Sequence, residues 1–128
     1  MPALSLRLAA PEFAICRLAP GEPVPAWADS PVFSSVTRTA DELSIICPAG
    51  QVPGGIKTER GWRLLQCDGP WNFDAVGVMA AITTPLAGAG ISLLAVATFD
   101  TDHVLVKADR LDAAVDALRR AGHRVVVD

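Results

Sequence analysis

Residues Gly77–His103 read GVMAAITTPLAGAGISLLAVATFDTDH, and this stretch decides the fold. Ala75, Met79, Ile82 and Leu86 recur at helical spacing, which predicts a helix with one apolar face. Asp74 is placed to be its N-cap. Pro85 falls late in the helix and should loosen its last turn, while Gly88 and Gly90 supply the backbone freedom that stops it. Ser92–Thr98 then runs apolar on both faces, as a central strand does, and Val104–Val106 forms a second short strand beyond an acidic turn. The two read as a hairpin.

Working outward, Trp62–Cys67 alternates as a strand, and Leu111, Ala114, Val115 and Leu118 mark a second amphipathic helix. Asp109 is its expected N-cap and Gly122 its stop. Arg124–Val127 closes the pattern with a strand. The order β-α-β-β-α-β predicts an α+β, ferredoxin-like module: an antiparallel sheet with both helices on one face. The first half is a worn version of the same order. Phe13–Leu18 is a strand, Pro20–Pro31 is proline-rich with one helical turn around Ala26–Ala28, and Phe33–Thr37 and Glu42–Cys47 form a hairpin. Pro48–Gly61 carries Pro and Gly too densely for a helix and reads as a loop or linker. Two organisations fit: a duplicated, degenerate pair of β-α-β-β modules, or one module with an N-terminal β extension. The boundary is expected at residues 1–56 and 57–128.

Composition narrows the function classes. With 128 residues and 51% hydrophobic content the chain can bury a proper core. Its mean hydropathy of +0.35 predicts that part of the apolar surface is covered by a second subunit, so a homodimer is expected. A net charge of −3 with no Lys/Arg run argues against nucleic acid and against a polybasic membrane patch. No apolar run reaches the ~18 residues of a spanning helix, and a cytoplasmic location is expected. Cys16, Cys47 and Cys67 sit in apolar runs without metal-ligand spacing and read as buried thiols of a reducing compartment.

Gly61–Val106 resembles an ACT domain, of the subgroup found in small tandem bacterial ACT proteins and in the cytosolic arginine sensor of the TOR pathway. The resemblance rests on Thr98–His103, which matches an STFDTD(H/Y)-like turn, and on Gly69, Pro70, Phe73 and Gly77, which match a GP-x-x-F-x-x-x-G helix start. Phe33–Thr39 and Glu42–Ile46 are similar to the subgroup's first module. What this implies is a regulatory module that binds an amino acid or similar metabolite between modules or subunits, with no catalytic residues and no cofactor. It also implies that Asp102, beside His103, belongs to the ligand pocket.

The residues support a site by their own chemistry. The loop Gly69–Gly77 leads into a helix start, where Gly77 permits close approach and the amides from Val78 onward suit a carboxylate. Asp74 bears on this site in two ways, as a ligand contact or as a cap that satisfies the same amides. Asp100 and Asp102, two residues apart around a turn, are candidates to pair with an ammonium or guanidinium. Thr101 and Asp100 are equally ordinary turn residues. Ile91, Ser92, Val96, Thr98 and Phe99 are candidate lining, although Ile91 and Val96 suit a core as well. Ser34, Ser35 and Thr37 read chiefly as strand residues, and Trp62 and Trp71 either cap a ligand or bury at a contact.

An enzyme has little to work with. His103 and His123 are the two histidines, and His123 follows a helix-ending glycine, where exposure is expected. Gly88-x-Gly90 ends a helix rather than opening one, so it is not a dinucleotide fingerprint. Asp100, Asp102 and His103 are a weak metal set, three ligands in one turn. The reading is therefore a ligand sensor that signals to a separate effector protein. Its rivals are a ligand-free interaction module that only assembles and, more remotely, a small hydrolase or isomerase.

Overall fold

Both helices end in the same way. Helix α1 (Val78–Gly88) is followed by Gly90 at φ 72°, and helix α2 (Leu111–Arg120) by Gly122 at φ 96°. After α1 the N–H of Ile91 donates to the Leu86 carbonyl (2.9 Å) and that of Gly90 to Ala87 (3.0 Å). After α2 the N–H of His123 donates to Leu118 (3.1 Å) and that of Gly122 to Arg119 (3.0 Å). This is the Schellman arrangement, in which a left-handed glycine satisfies the last carbonyls and turns the next residue inward. Ile91 and His123 are accordingly both buried.

The computed structural model describes residues 2–127. Its strands are β1 (Ser5–Leu18), β2 (Ser35–Arg38), β3 (Leu43–Pro48), β4 (Lys57–Cys67), β5 (Leu93–Ala97), β6 (Asp102–Lys107) and β7 (Arg124–Val126). The chain divides into two compact units, Pro11–Trp62 and the residues flanking it, up to Ala10 and from Arg63 onward. Strands β1 and β4 each lend a segment to both.

In the flanking unit β1 lies beside β4, β4 beside β6 and β6 beside β5, with β7 on the far side of β1. Helices α1 and α2 pack on one face, closing a core of Leu65, Cys67, Ile82, Leu86, Val104, Val106, Ala114 and Leu118. The amphipathic pattern of α2 explains its seat: Ala114, Val115, Ala117 and Leu118 are buried, while Asp112, Asp116, Arg119 and Arg120 face water. This is the α+β, ferredoxin-like architecture expected from the sequence, with three differences. Strand β7 pairs in parallel with β1, Ser5 against Arg124, because residues ahead of the module supply its neighbour. Strand β5 is an edge, not a central strand: it pairs with β6 alone among the described residues and its side chains are half-buried or exposed. Helix α2 is capped by Arg110 rather than by Asp109, which lies in the preceding 3-10 turn.

In the Pro11–Trp62 unit the rest of β1 pairs antiparallel with β3, Phe13 to Leu18 against Pro48 to Leu43, and β3 pairs with β2. Alternation puts Ala14, Cys16, Leu43, Ile45 and Cys47 in one apolar cluster, covered by Ala28, Ala49 and Val52 from two 3-10 turns and loop. The turn at Ala26–Ala28 is where the sequence placed it. Two boundaries moved. Strand β1 begins at Ser5 rather than Phe13: Pro11 falls between the stretch paired with β7 and the stretch paired with β3, and the strand runs through it. Lys57–Gly61, read as loop, is the start of β4; Gly61 takes φ 83° within the strand, so its glycine marks a local twist and not a break.

Candidate functional site

The loop from β4 to α1 is clamped to the β5–β6 turn. The N–H of Trp71 donates to the Asp100 carbonyl at 2.7 Å, and the Thr101 hydroxyl donates to the Cys67 carbonyl at 2.8 Å. Within the turn, the N–H and hydroxyl of Thr98 both donate to the Thr101 carbonyl, each at 2.9 Å. Gly69 makes the clamp possible. A Cβ at that position would lie 2.9 Å from the Asp100 carbonyl oxygen and 3.0 Å from the Thr101 Cβ. The indole of Trp71 closes the loop on itself by donating to the Asp68 carbonyl at 3.0 Å.

Between loop and turn lies a cleft of about 250 Å³. That is below the roughly 300–1,000 Å³ of drug-sized pockets and on the scale of a free amino acid. Of the residues expected at a site, Val78, Thr98, Phe99, Asp100, Thr101 and Asp102 line it. Trp71, Asn72, Phe73, Ala75 and Ala97 line it too. Only Trp71 among these five was a candidate from its residue type; Phe73 was visible as part of the helix-start motif, and nothing in their chemistry marked the others. Phe73 and Phe99 meet edge to face across the mouth, with centroids 4.7 Å apart, and are 77% and 78% exposed.

The floor of the cleft is the beginning of α1. Gly77, at φ 84°, is the N-cap residue, and no side chain caps the helix. Asp74 is therefore not the N-cap: it lies three residues ahead of Gly77, exposed and outside the cleft lining. The first amides of α1, at Val78, Met79 and Ala80, precede the first intrahelical bond, from Ala81 to Gly77 (2.9 Å). They carry the positive end of the helix dipole without a carboxylate in their own turn.

Other candidates lie elsewhere. Ile91 belongs to the core, Ser92 is exposed beyond α1, and Val96 pairs with His103 in the ladder. Trp62 is buried in β4 and does not line the cleft. Asp102 and His103 are successive on β6, so they point to opposite faces: Asp102 into the cleft, His103 away from the helices. His103 is 5% exposed, and burial holds its pKa below the usual 6.5. Asp100, Asp102 and His103 accordingly form no metal-binding group among the described residues. His123, expected at the surface, is buried and engaged at both ring nitrogens.

A wider groove, about 680 Å³, runs along the outer side of α2 over Leu8, Val115 and Val127. Of its charged side chains, Asp116 pairs with Arg120 at 2.9 Å and Arg119 donates to the Val125 carbonyl at 2.7 Å. Its lining includes the first turn of α2, where Asp112 already sets a carboxylate at the positive end of the helix dipole, unlike the start of α1.

The sequence model of the ACT domain matches residues 57–120, from β4 to the end of α2 and so across the whole cleft. The chain belongs to the ACT domain family. A further model, of an N-terminal domain, matches residues 11–55. The chain is 40% identical over 60 residues to the human protein named cytosolic arginine sensor for mTORC1 subunit 1, covering 46% of this chain and 18% of that one. The chain thus spans less than a fifth of that relative's length. A solved structure from Agrobacterium tumefaciens is 38% identical, with a TM-score of 0.95 across 100% of this chain and 96% of that one. The ligand-free regulatory subunit of aspartate kinase from Thermus thermophilus shares the fold at 12% identity, with a TM-score of 0.65 over 91% and 96% of the two chains. This ACT-domain chain is therefore related in sequence to an amino acid sensor. No helix among its described residues is long and apolar enough to cross a membrane.

Proposed function

We propose that this ACT-domain protein is a regulatory sensor that binds a free amino acid in the cleft between loop 69–77 and turn 97–102. One observation carries the reading: Val78, the first residue of a helix that no side chain caps, and Asp102 line the same small cavity. The ligand's carboxylate takes the amides of Val78–Ala80, and its ammonium or guanidinium takes Asp102. Arginine is the first ligand to test, because the human relative is named an arginine sensor. Residues 57–128 act as the ligand-binding ACT module and residues 1–56 as its degenerate N-terminal companion. The ligand sits at a module or subunit interface of a homodimer, which explains the exposed Phe73, Val76 and Phe99. Occupancy favours the packing in which both sets of contacts are made, and an effector protein reads that state.

A thermal-shift screen of the twenty amino acids tests this. One ligand should raise the melting temperature, since it binds the native state alone. Asp102→Ala should abolish the shift without unfolding the chain. The exposed aromatic pair also suits a module that only assembles; that protein would show no shift with any amino acid and no change in assembly on adding one.

A further inference from the structure

Within α1, Pro85 stands four residues after Ala81. Proline has no N–H, so the helix cannot give the Ala81 carbonyl its usual donor. Water cannot replace it, because Ala81 is 1% exposed. The ring of His123 fills the gap. Its Nε2 lies 2.7 Å from the Ala81 carbonyl oxygen, and its Nδ1 lies 3.0 Å from the backbone nitrogen of Leu4. The Leu4 N–H can only donate, so Nδ1 accepts; the ring proton is then on Nε2 and is donated to Ala81. A neutral imidazole satisfies both partners at once.

We infer that His123 is a positioning residue for the ligand cleft, supplying the helix hydrogen bond that Pro85 removes and so fixing the first turn of α1. The inference rests on the ligand-binding reading of that cleft. The mechanical link is short. The N–H of Ala81 holds the Gly77 carbonyl at 2.9 Å, and Val78, next in the chain, lines the cavity. A shift at Ala81 therefore reaches the amides that face the ligand. The weak point of the helix and its remedy both fall in the turn that matters for binding.

The test uses the full chain with His123→Ala, His123→Gln, Pro85→Ala and the His123→Ala/Pro85→Ala double variant, and L-arginine as the calorimetric probe. His123→Ala should weaken arginine about tenfold, the scale of one lost hydrogen bond at the binding amides. Pro85→Ala returns an N–H to the Ala81 carbonyl, so the double variant should recover most of that loss. A merely structural histidine would not be rescued by a change at Pro85. Hydrogen exchange at the Ala81 amide, which donates to the Gly77 carbonyl, should quicken in His123→Ala and slow again in the double variant, with His123→Gln between them. Nitrogen NMR of the wild-type ring should show the Nε2–H tautomer. Unchanged exchange in His123→Ala, an absent rescue, or an Nδ1–H ring overturns the inference. If wild type fails to bind arginine, the ligand assignment fails instead, and exchange and tautomer still decide the role of His123.

Discussion

The N–H of Trp71 meets the carbonyl of Asp100 at 2.7 Å, directly beside a glycine that has no room for a side chain. Loop and turn are thus joined by one backbone bond and by the Thr101 hydroxyl, and Gly69 is what lets them approach. Gly69→Val should break this junction. The clash is with backbone, so the turn must move, and overpacking of this kind costs about 1–3 kcal/mol. Urea unfolding should register that loss, and any amino-acid-induced rise in melting temperature should vanish with it.

Acid should weaken the fold through His103. Burial lowers its pKa in the native state below 6.5, so the unfolded chain binds more protons there. The stabilisation is complete above about pH 6.5 and is lost as the pH falls below that value. Urea midpoints measured between pH 8 and pH 5 should fall on the acid side in wild type. His103→Asn should flatten that part of the profile, and an unchanged slope would remove His103 as its source.

Leu118 has no exposed surface and sits where α2 meets the core. Leu118→Ala should cost about 2–5 kcal/mol, as lost transfer energy plus the cavity left behind. Equilibrium denaturation would show this as a lower midpoint with an unchanged slope.

The cysteines should be silent in the native state. Burial, reinforced by the neighbouring Cys16, pushes the Cys47 thiol up to about 11, and burial raises Cys67 as well. A chromogenic disulfide reagent at pH 8 should leave both unmodified until denaturant is added, because the thiolate is the reacting form. Rapid labelling of folded protein would contradict the burial described for them.

Much of the second half was legible in the sequence because its signals are local. Helical spacing from Met79 to Leu86, the stops at Gly90 and Gly122, and the acidic turn each act within a few residues. What escaped depends on distant partners. Pro11 disguised β1, since only the distant pairings on either side of it show that the strand runs through. Apolar residues on both faces of Leu93–Ala97 suggested a central strand, whereas small alanines there tolerate an edge. Asp74 looked like a cap by residue type, but the left-handed Gly77 delays the helix past its reach. His123 was misplaced although its position could be inferred. It stands one residue after a left-handed glycine, as Ile91 does, and that place points to the core. In the site, Asp102, Thr98 and Val78 were found by chemistry or motif. Asn72, Ala75 and Ala97 were not, because they line the cleft by location alone.

The parallel ladder of Ser5–Arg7 with Arg124–Val126 sets a timetable for biosynthesis. The later partner follows the earlier by more than a hundred residues, so this unit cannot close its ladder until that second strand has been made. Until then the early strand waits with an unfilled edge. A fragment cut to residues 57–120 would keep both helices yet lack this ladder altogether, and should prove a poor stand-in for the whole chain in recombinant expression.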